Sequence, residues 1–405
     1  MADVINFGCR LNIFEGESMA ALCSDTDMVI INSCSVTTEA SRQVRQTIRR
    51  IRRDQPHARI VVTGCGADTE TQTYLGMEEV NTVLLNGSKM QPLLGLRDGL
   101  VGIAATEGHS ARPPITQKQR QVRAHLEVQN GCNHSCTFCI IPMGRGPARS
   151  IKPQTVVEDV KALVGAGHLE VVLTGVDLTS YGEDLEQTQT LGFLVKTILE
   201  QVPDLPRLRL SSLDAIEMDD QLFELIAHHE RLMPHLHLSL QSGDNMVLKR
   251  MKRRHQREDA IALCQALKSQ RPQLALGADM IAGFPTETDT MFASSLAMID
   301  ECKLDYLHVF PFSPRPGTPA ARMPQVDKNI IKQRAHLLRK RGQERQKAFH
   351  DRLVGGAGLG LVEQEGQARL ENFALVKFHG DAQRGSLVPL QIMDAHTDFV
   401  QGELL

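Results

Sequence analysis

Six strand candidates recur between residues 125 and 310, each followed by enough chain for a helix, and they restrict the fold more than any other feature. They are His125 to Gln129, Glu170 to Thr174, Arg207 to Ser211, His235 to Leu240, Ala275 to Ile281 and Tyr306 to Phe310. A strand that rejoins its sheet in parallel needs a crossover of a dozen or more residues, and the intervals supply it. The pattern predicts a repeated βα unit closing, fully or partly, into a barrel, with chemistry at the C-terminal strand ends.

The flanks read differently. Residues 1–105 hold four apolar runs, Val4 to Phe7, Met28 to Ile31, Arg59 to Thr63 and Thr82 to Leu85, alternating with helix-like segments, which predicts an N-terminal α/β domain with a mostly parallel sheet. Residues 106–123 shift to Gly, Pro, Gln and basic residues and read as an extended linker to a barrel over 124–345. Short β-rich runs near Gly358 to Val362, Phe373 to Phe378, Ser386 to Met393 and Phe399 to Glu403 predict a small β-barrel over 346–405.

No apolar run approaches the roughly 18 residues of a membrane span, and the start MADVINFGCRLN lacks the regions of a signal peptide. A cytoplasmic protein without membrane contact is expected. In that reducing compartment, nine cysteines point to metal or redox chemistry rather than disulfides. A net charge of −3 argues against an indiscriminate polyanion binder, but Lys and Arg crowd into Arg42 to Arg53, Lys249 to Arg257 and Lys328 to Lys347. Such patches engage phosphates whatever the overall charge.

Cys132, Cys136 and Cys139 sit on one loop directly after the first barrel strand, in QNGCNHSCTFCIIPMGRG. Three thiolates so spaced hold three irons of a 4Fe-4S cluster and leave the fourth without a protein ligand. Zinc, the alternative, commonly takes paired cysteines and a fourth ligand. Cys9, Cys34 and Cys65 each fall within three residues of an N-terminal strand end. In a parallel sheet those ends share one edge, so a second three-thiolate site is physically sensible. Cys23, Cys264 and Cys302 lie in helix-periodic apolar contexts and read as core residues. The fifteen histidines show no metal spacing, and Val44, Ile48 and Ile51 mark Arg42 to Arg53 as an amphipathic helix whose arginines mostly face water.

The C-x3-C-x2-C loop resembles the radical S-adenosylmethionine (SAM) superfamily, whose fold is a (βα)6-type partial TIM barrel. The resemblance assigns Phe138 to the SAM adenine, and Thr174 and Gly175 in LTGVD, with the acid displaced to Asp177, to the strand that binds the methionine amine. Ser211, Ser212, Gln241, Ile281, Gly283, Val309 and Phe310 fall at later strand ends that match SAM-binding positions. With the N-terminal cysteines and the terminal β-barrel, nearly the whole chain resembles the methylthiotransferase family, whose last module is the TRAM domain. NFGCRLNIFEGE, LHLSLQSGDNMVLKRMKRRH and LHVFPFSPRPGTPAARMP look like the branch acting on threonylcarbamoyladenosine in tRNA (MtaB-type). Ile151 departs from the pattern, standing where many members carry a second arginine.

This resemblance implies two 4Fe-4S clusters, one on Cys132, Cys136 and Cys139 that binds and cleaves SAM, and one on Cys9, Cys34 and Cys65 that supplies a methylthio group. Position 2 of adenine is an unactivated C–H that no side-chain base deprotonates at neutral pH, so cofactor radical chemistry is required. The substrate would be the adenosine 3′ of the anticodon, unstacked from the tRNA anticodon arm, and the electron donor a flavodoxin or ferredoxin. Leu361 to Leu405 holds three basic and seven acidic residues, a formal −4. RNA contact is therefore assigned to Arg250, Arg253 and Arg254. The alternatives are isopentenyladenosine tRNA or a ribosomal protein as substrate, or a non-catalytic iron-sulfur RNA-binding protein.

Overall fold

A computed structural model describes residues 3–405 apart from 24–26, 92, 94–95, 110–114, 116–118 and 120. The central part of the expected linker, with its consecutive prolines, lies outside the described residues. Five strands, β1 (Asp3–Asn6), β2 (Met28–Ser33), β3 (Arg59–Gly64), β4 (Thr82–Leu84) and β5 (Gly99–Val101), form one parallel sheet in that order. The last is three residues long, too short for a periodic signal, and the sequence reading missed it. Helix α1 (Arg10–Leu22) covers one face, packing Met19 on Ile30, Val61 and Leu84. Helix α2 (Thr38–Asp54) covers the other through Val44, Ile48 and Ile51, the predicted apolar stripe. Thr37 caps it by accepting from the Ala40 N–H. Not all its arginines are idle: Arg52 donates to the carbonyls of Pro56, Ala58 and Glu79. Short helices α3 (Cys65–Thr69) and α4 (Thr71–Leu75) follow β3.

The second unit begins with β6 (Ala124–Glu127) and a short antiparallel ribbon, β7 (Gln129–Asn130) with β8 (Arg149–Ser150), that pinches the cysteine loop at its base. Helix α5 (Ile141–Arg145) lies within the loop. The other strands are β9 (Glu170–Thr174), β10 (Arg207–Leu210) continued by β11 (Ser212–Leu213), β12 (His235–Gln241), β13 (Ala275–Ala282) and β14 (Tyr306–Pro311). Between them run α6 (Pro153–Gly165), α7 (Leu191–Gln201), α8 (Asp220–His228), α9 (Asn245–Met251), α10 (Arg257–Gln270) and α11 (Asp289–Glu301). The strands form parallel sheets β10-β9-β6 and β11-β12-β13-β14; among the described residues β6 and β14 do not pair, so the barrel is partial. All six predicted strands are present, with no end displaced by more than two residues.

Alternation along each strand decides what carries the stability. Leu208, Leu210, Leu236, Leu238, Leu276 and Ala278 turn outward into the main core beneath the helices. Each fully buried Leu there contributes about 1.5–3 kcal/mol relative to exposure. The opposite face, with Arg209, His237 and Asp279, lines a polar lumen. The helix layer therefore holds the barrel together and leaves the lumen free for chemistry.

Helix α12 (Lys328–Asp351) runs along β14 and across the residue 345/346 junction into the last unit. There β15 (Ala357–Gln364), β16 (Gln367–Arg369), β17 (Leu375–His379), β18 (Leu387–Ala395) and β19 (Val400–Leu404) close a barrel in the order β15-β16-β17-β19-β18. Only β16 escaped the sequence reading. This small barrel docks on the N-terminal ends of the larger barrel's strands: the Phe373 ring stacks on His235 at 4.5 Å, and Arg209 donates to the Glu371 carbonyl.

Candidate functional site

Cys9 caps α1, Cys34 follows β2 directly and Cys65 opens α3, so the three thiols stand at one edge of the sheet. Local backbone makes room for them. Gly8 (φ 93°) faces Cys34, whose Sγ lies 2.7 Å from where a Cβ would sit, and Gly64 (φ 87°) lies against the Ser33 backbone. Burial, then the neighbouring Cys65, pushes the Cys34 thiol up to about 12. Burial also raises Cys65, opposed by the cations Arg145 and Lys89 and reinforced by Cys9.

Cys132, Cys136 and Cys139 likewise lie within electrostatic reach of one another. Burial pushes Cys132 to about 12, with Asp177 and the other two cysteines adding to it. It does the same to Cys139, which also feels Cys136 and Cys65. That last influence crosses from the barrel to the N-terminal domain, and the packing brings the same two segments together. Helix α5 seats directly on α3: a Cβ at Gly144 would lie 3.2 Å from the Cys65 backbone, and Asn86 Nδ2 donates to the Gly144 carbonyl at 2.5 Å.

A buried clamp fixes this juxtaposition. Arg145, 2% exposed, donates to both Glu15 carboxylate oxygens at 2.8 and 3.0 Å and to Asn12 Oδ1 at 2.5 Å, and Lys89 Nζ reaches Glu15 at 2.5 Å. Burial would raise the Glu15 carboxyl, but Arg145 and Lys89 outweigh it and hold the group at about 2. Two cations thus face one carboxylate, and the excess positive charge favours a thiolate at Cys65. A second bridge joins Arg315, from the loop after β14, to Glu70 and Ser41 of the N-terminal domain. No sequence signal announced Glu15 or Lys89, which lie 130 and 56 residues from Arg145 and are brought to it by tertiary packing alone.

Both triads suit an iron-sulfur cluster. Three thiols so gathered are unfavourable as bare thiolates, and bound metal would supply the missing positive charge. The lumen rim suits SAM, since Thr174 Oγ1 and Ser211 Oγ are buried there without hydrogen-bond partners. Gln129 Oε1 accepts from the Val176 and Asp177 N–H groups, locking the turn around Gly175. Asp177 Oδ2 lies 3.8 Å from Cys132 Sγ and 2.6 Å from His134 Nε2. Phe138 packs edge-on to Phe284 within an apolar cluster that includes Ile281. Gln241 (φ 67°) ends β12, Ser212 opens β11, and Phe310 is partly exposed on the lumen side. Val309 points the other way, packing against the main core under α12.

The basic segment also divides. Lys249 and Arg250 end α9, and Lys252 is left-handed (φ 57°), so the segment is a helix end and a turn. Arg253 points inward, donating to Asp214 Oδ2 and the Ser239 carbonyl at 2.7 Å, with Cys136 Sγ at 3.9 Å. Arg250 donates to the Thr286 carbonyl, and Arg254, 40% exposed, pairs with Glu217. Cys23, Cys264 and Cys302 are buried core residues. Histidine spacing gave no warning that His237, Asp279 and His308, on three adjacent strands, converge within 4.8 Å in the lumen.

Residues 126–299 match the Radical SAM superfamily, and residues 2–86 match Uncharacterized protein family UPF0004. The threonylcarbamoyladenosine tRNA methylthiotransferase MtaB of Rickettsia prowazekii is 46% identical over 386 residues, covering 93% of this chain and 90% of that protein. The protein of the same name from Bacillus subtilis is 32% identical, covering 98% and 95%. The tRNA-2-methylthio-N(6)-dimethylallyladenosine synthase of Erythrobacter litoralis is 31% identical, covering 99% and 96%. Among solved structures, the radical S-adenosylmethionine methyltransferase TsrM of Kitasatospora setae, with cobalamin and a 4Fe-4S cluster bound, shares the fold. Its TM-score is 0.52 at 14% identity, covering 77% of this chain and 66% of that one. With both cysteine triads in place and relatives aligned from end to end, the chain belongs to the methylthiotransferase family of radical SAM enzymes.

Proposed function

We propose that the protein converts threonylcarbamoyladenosine next to the tRNA anticodon to its 2-methylthio derivative. The observation that carries this reading is the seating of Gly144, on the helix that follows Cys139, against the Cys65 backbone, which brings the two three-thiol sites to one domain junction. The higher identity to the threonylcarbamoyl enzyme of R. prowazekii than to the dimethylallyl enzyme of E. litoralis supports the choice of base.

The bound groups, two 4Fe-4S clusters and SAM, supply the radical that activates the C–H bond and the sulfur that replaces the hydrogen. The chain's own residues do the positioning. Cys132, Cys136 and Cys139 would hold one cluster, and Cys9, Cys34 and Cys65 the other. Asp177, already ionised beside Cys132, is suited to receive the methionine ammonium, and Thr174 Oγ1 and Ser211 Oγ to meet polar groups of SAM. Phe138 and Ile281 offer an apolar wall to the adenine; Val309, turned outward, would act through packing alone. The lid made by the N-terminal domain excludes water, held by the Glu15 clamp. In this reading 1–105 carries the sulfur site, 124–345 the SAM site, and 346–405 seals the base of the barrel.

A one-electron donor of the flavodoxin or ferredoxin class is chemically matched to reducing a cluster. No helix among the described residues is long and apolar enough to cross a membrane; a tRNA substrate supports a cytoplasmic location. Mass spectrometry of tRNA nucleosides tests the reading. A deletion strain is expected to lose 2-methylthio-threonylcarbamoyladenosine and to accumulate the unthiolated base; an unchanged nucleoside profile overturns it.

Phosphate contacts fall to the exposed members of the basic segment, while Arg253 positions the cysteine loop. Replacing Lys249, Lys252 and Arg254 with Ala is expected to weaken tRNA binding and to reduce its salt slope by about 0.7–0.9 for each phosphate no longer neutralised. Arg253→Ala is expected instead to lower SAM cleavage measured without RNA. Filter binding across a salt series and a 5′-deoxyadenosine assay separate the two effects.

A further inference from the structure

Five guanidinium groups gather around three glutamates at the barrel lumen, and among the described residues one of the five is unpaired. Arg123 pairs with Glu363 at 2.8 Å, and Arg369 with the same carboxylate at 3.1 Å. Arg209 pairs with Glu170 at 2.9 Å, and Arg207 lies 3.6 Å from Glu170 and 3.7 Å from Glu371. Arg10 projects among them, with its guanidinium 5.7 Å from the Phe373 ring and within the fields of Arg123, Arg209, Glu170 and Asp279. It has no hydrogen-bond or ion-pair partner among the described residues. The nearest uncommitted carboxylate in appearance, Asp279, is taken: His237 Nε2 lies 2.8 Å from its Oδ1 and His308 Nδ1 3.5 Å.

This placement is costly in every local respect. Arg10 occupies the first turn of α1, where the helix dipole disfavours a cation, and it lies among other guanidinium groups in a partly shielded space. A residue kept at such a position without a counter-ion fits a site whose anion arrives from outside. Its place in the chain says where. Arg10 directly follows Cys9, so its backbone is tied to the N-terminal triad while its side chain reaches into the lumen below the other triad.

We propose that Arg10 is the specificity-determining residue of the enzyme, its guanidinium receiving the carboxylate of the threonylcarbamoyl group as a two-point ion pair. The inference rests on the reading that threonylcarbamoyladenosine is the substrate. Of the two bases named for the relatives, the threonylcarbamoyl one carries an anion on N6, whereas a dimethylallyl group is uncharged hydrocarbon. A planar guanidinium matches a carboxylate bidentately, and it would remain unpaired, at the cost of its desolvation, against the hydrocarbon. The same contact would draw the N6 edge of the base into the lumen and leave its opposite part toward the cysteine triads.

Two anticodon stem-loop RNAs, identical except for threonylcarbamoyl or unmodified adenosine 3′ of the anticodon, test this with the reconstituted full-length enzyme. The parent is expected to bind the threonylcarbamoyl RNA more tightly. Arg10→Gln should reduce that affinity about 10- to 100-fold, to the level of the unmodified RNA, without changing binding of the unmodified RNA or the iron content. Arg10→Lys should retain part of the discrimination. As a readout that needs no RNA, Arg10→Met is expected to melt no lower than the parent, because it removes an unpaired cation. If the parent does not discriminate, the substrate reading itself fails. If the parent discriminates and Arg10→Gln does so equally, or if Arg10→Gln loses both RNAs or its iron, the assignment of Arg10 is overturned.

Discussion

Cys34→Ala is expected to abolish methylthio transfer, by at least about a thousandfold, while reductive cleavage of SAM stays detectable; Cys136→Ala is expected to abolish both. The asymmetry follows from the placement of the two triads. Cys34 stands at the sheet edge of the N-terminal domain, away from the lumen rim where Thr174, Ser211 and Asp177, the groups proposed to receive SAM, stand. Cys136 stands on the barrel loop itself, against Arg253. Either substitution leaves two thiols where a cluster needs three, so iron should fall from about eight per chain to about four. Chromatography of 5′-deoxyadenosine, mass spectrometry of the RNA and an iron assay on the same preparation check all three quantities. Methylthiolated RNA from the Cys34→Ala enzyme, or a parent holding only about four irons, would refute the two-site arrangement.

Breaking the buried clamp should be the most damaging change outside the cysteines. Glu15→Ala leaves Arg145 and Lys89 facing each other without a counter-ion in a site that excludes water. Removing one partner of a buried ion pair typically costs about 3–5 kcal/mol, a large part of a domain's stability. The effect should appear in urea titrations as a lower midpoint and as loss of domain apposition. Glu15→Gln, which keeps shape and some hydrogen bonding, should cost less than Glu15→Ala; equal stability of all three proteins would remove the clamp from the account. The pH dependence has a definite sign. Glu15 titrates at about 2 in the folded chain against 4.5 for a free carboxyl, so its contribution is complete above about 4.5 and is lost as pH falls through about 2.

Much of the architecture was legible in the chain because it depends on local periodicity. The run His235 to Leu240 alternates with period two and Glu170 to Thr174 is a short Val- and Leu-rich run, and turn residues and helices separate them, so they read as strands whatever surrounds them. The strands that went unread are short: Gly99–Val101 and Gln367–Arg369 are three residues each, Arg149–Ser150 and Ser212–Leu213 two. No periodicity survives at that length, and pairing with a neighbouring strand creates them. The second cysteine triad was legible for a topological reason: parallel strands end at one edge, so Cys9, Cys34 and Cys65 had to approach one another once the sheet was granted.

What lay beyond the sequence is the set of relations between charged groups far apart in the chain. The basic run Lys249 to Arg257 looked uniform, yet folding turned Arg253 onto Asp214 and the cysteine loop and left Lys249 and Lys252 in water. Arg10 was simply the residue after Cys9 until the lumen's other arginines were seen to be paired, and Glu15 had no mark of its own until Arg145 arrived from another domain. Hydrophobic burial is summed over many residues and is written in their pattern, so the chain by itself determined its sheets, its barrels and the cysteines at their edges. A buried charge answers instead to the one or two groups within a few ångströms of it, and only the tertiary structure decided which those are.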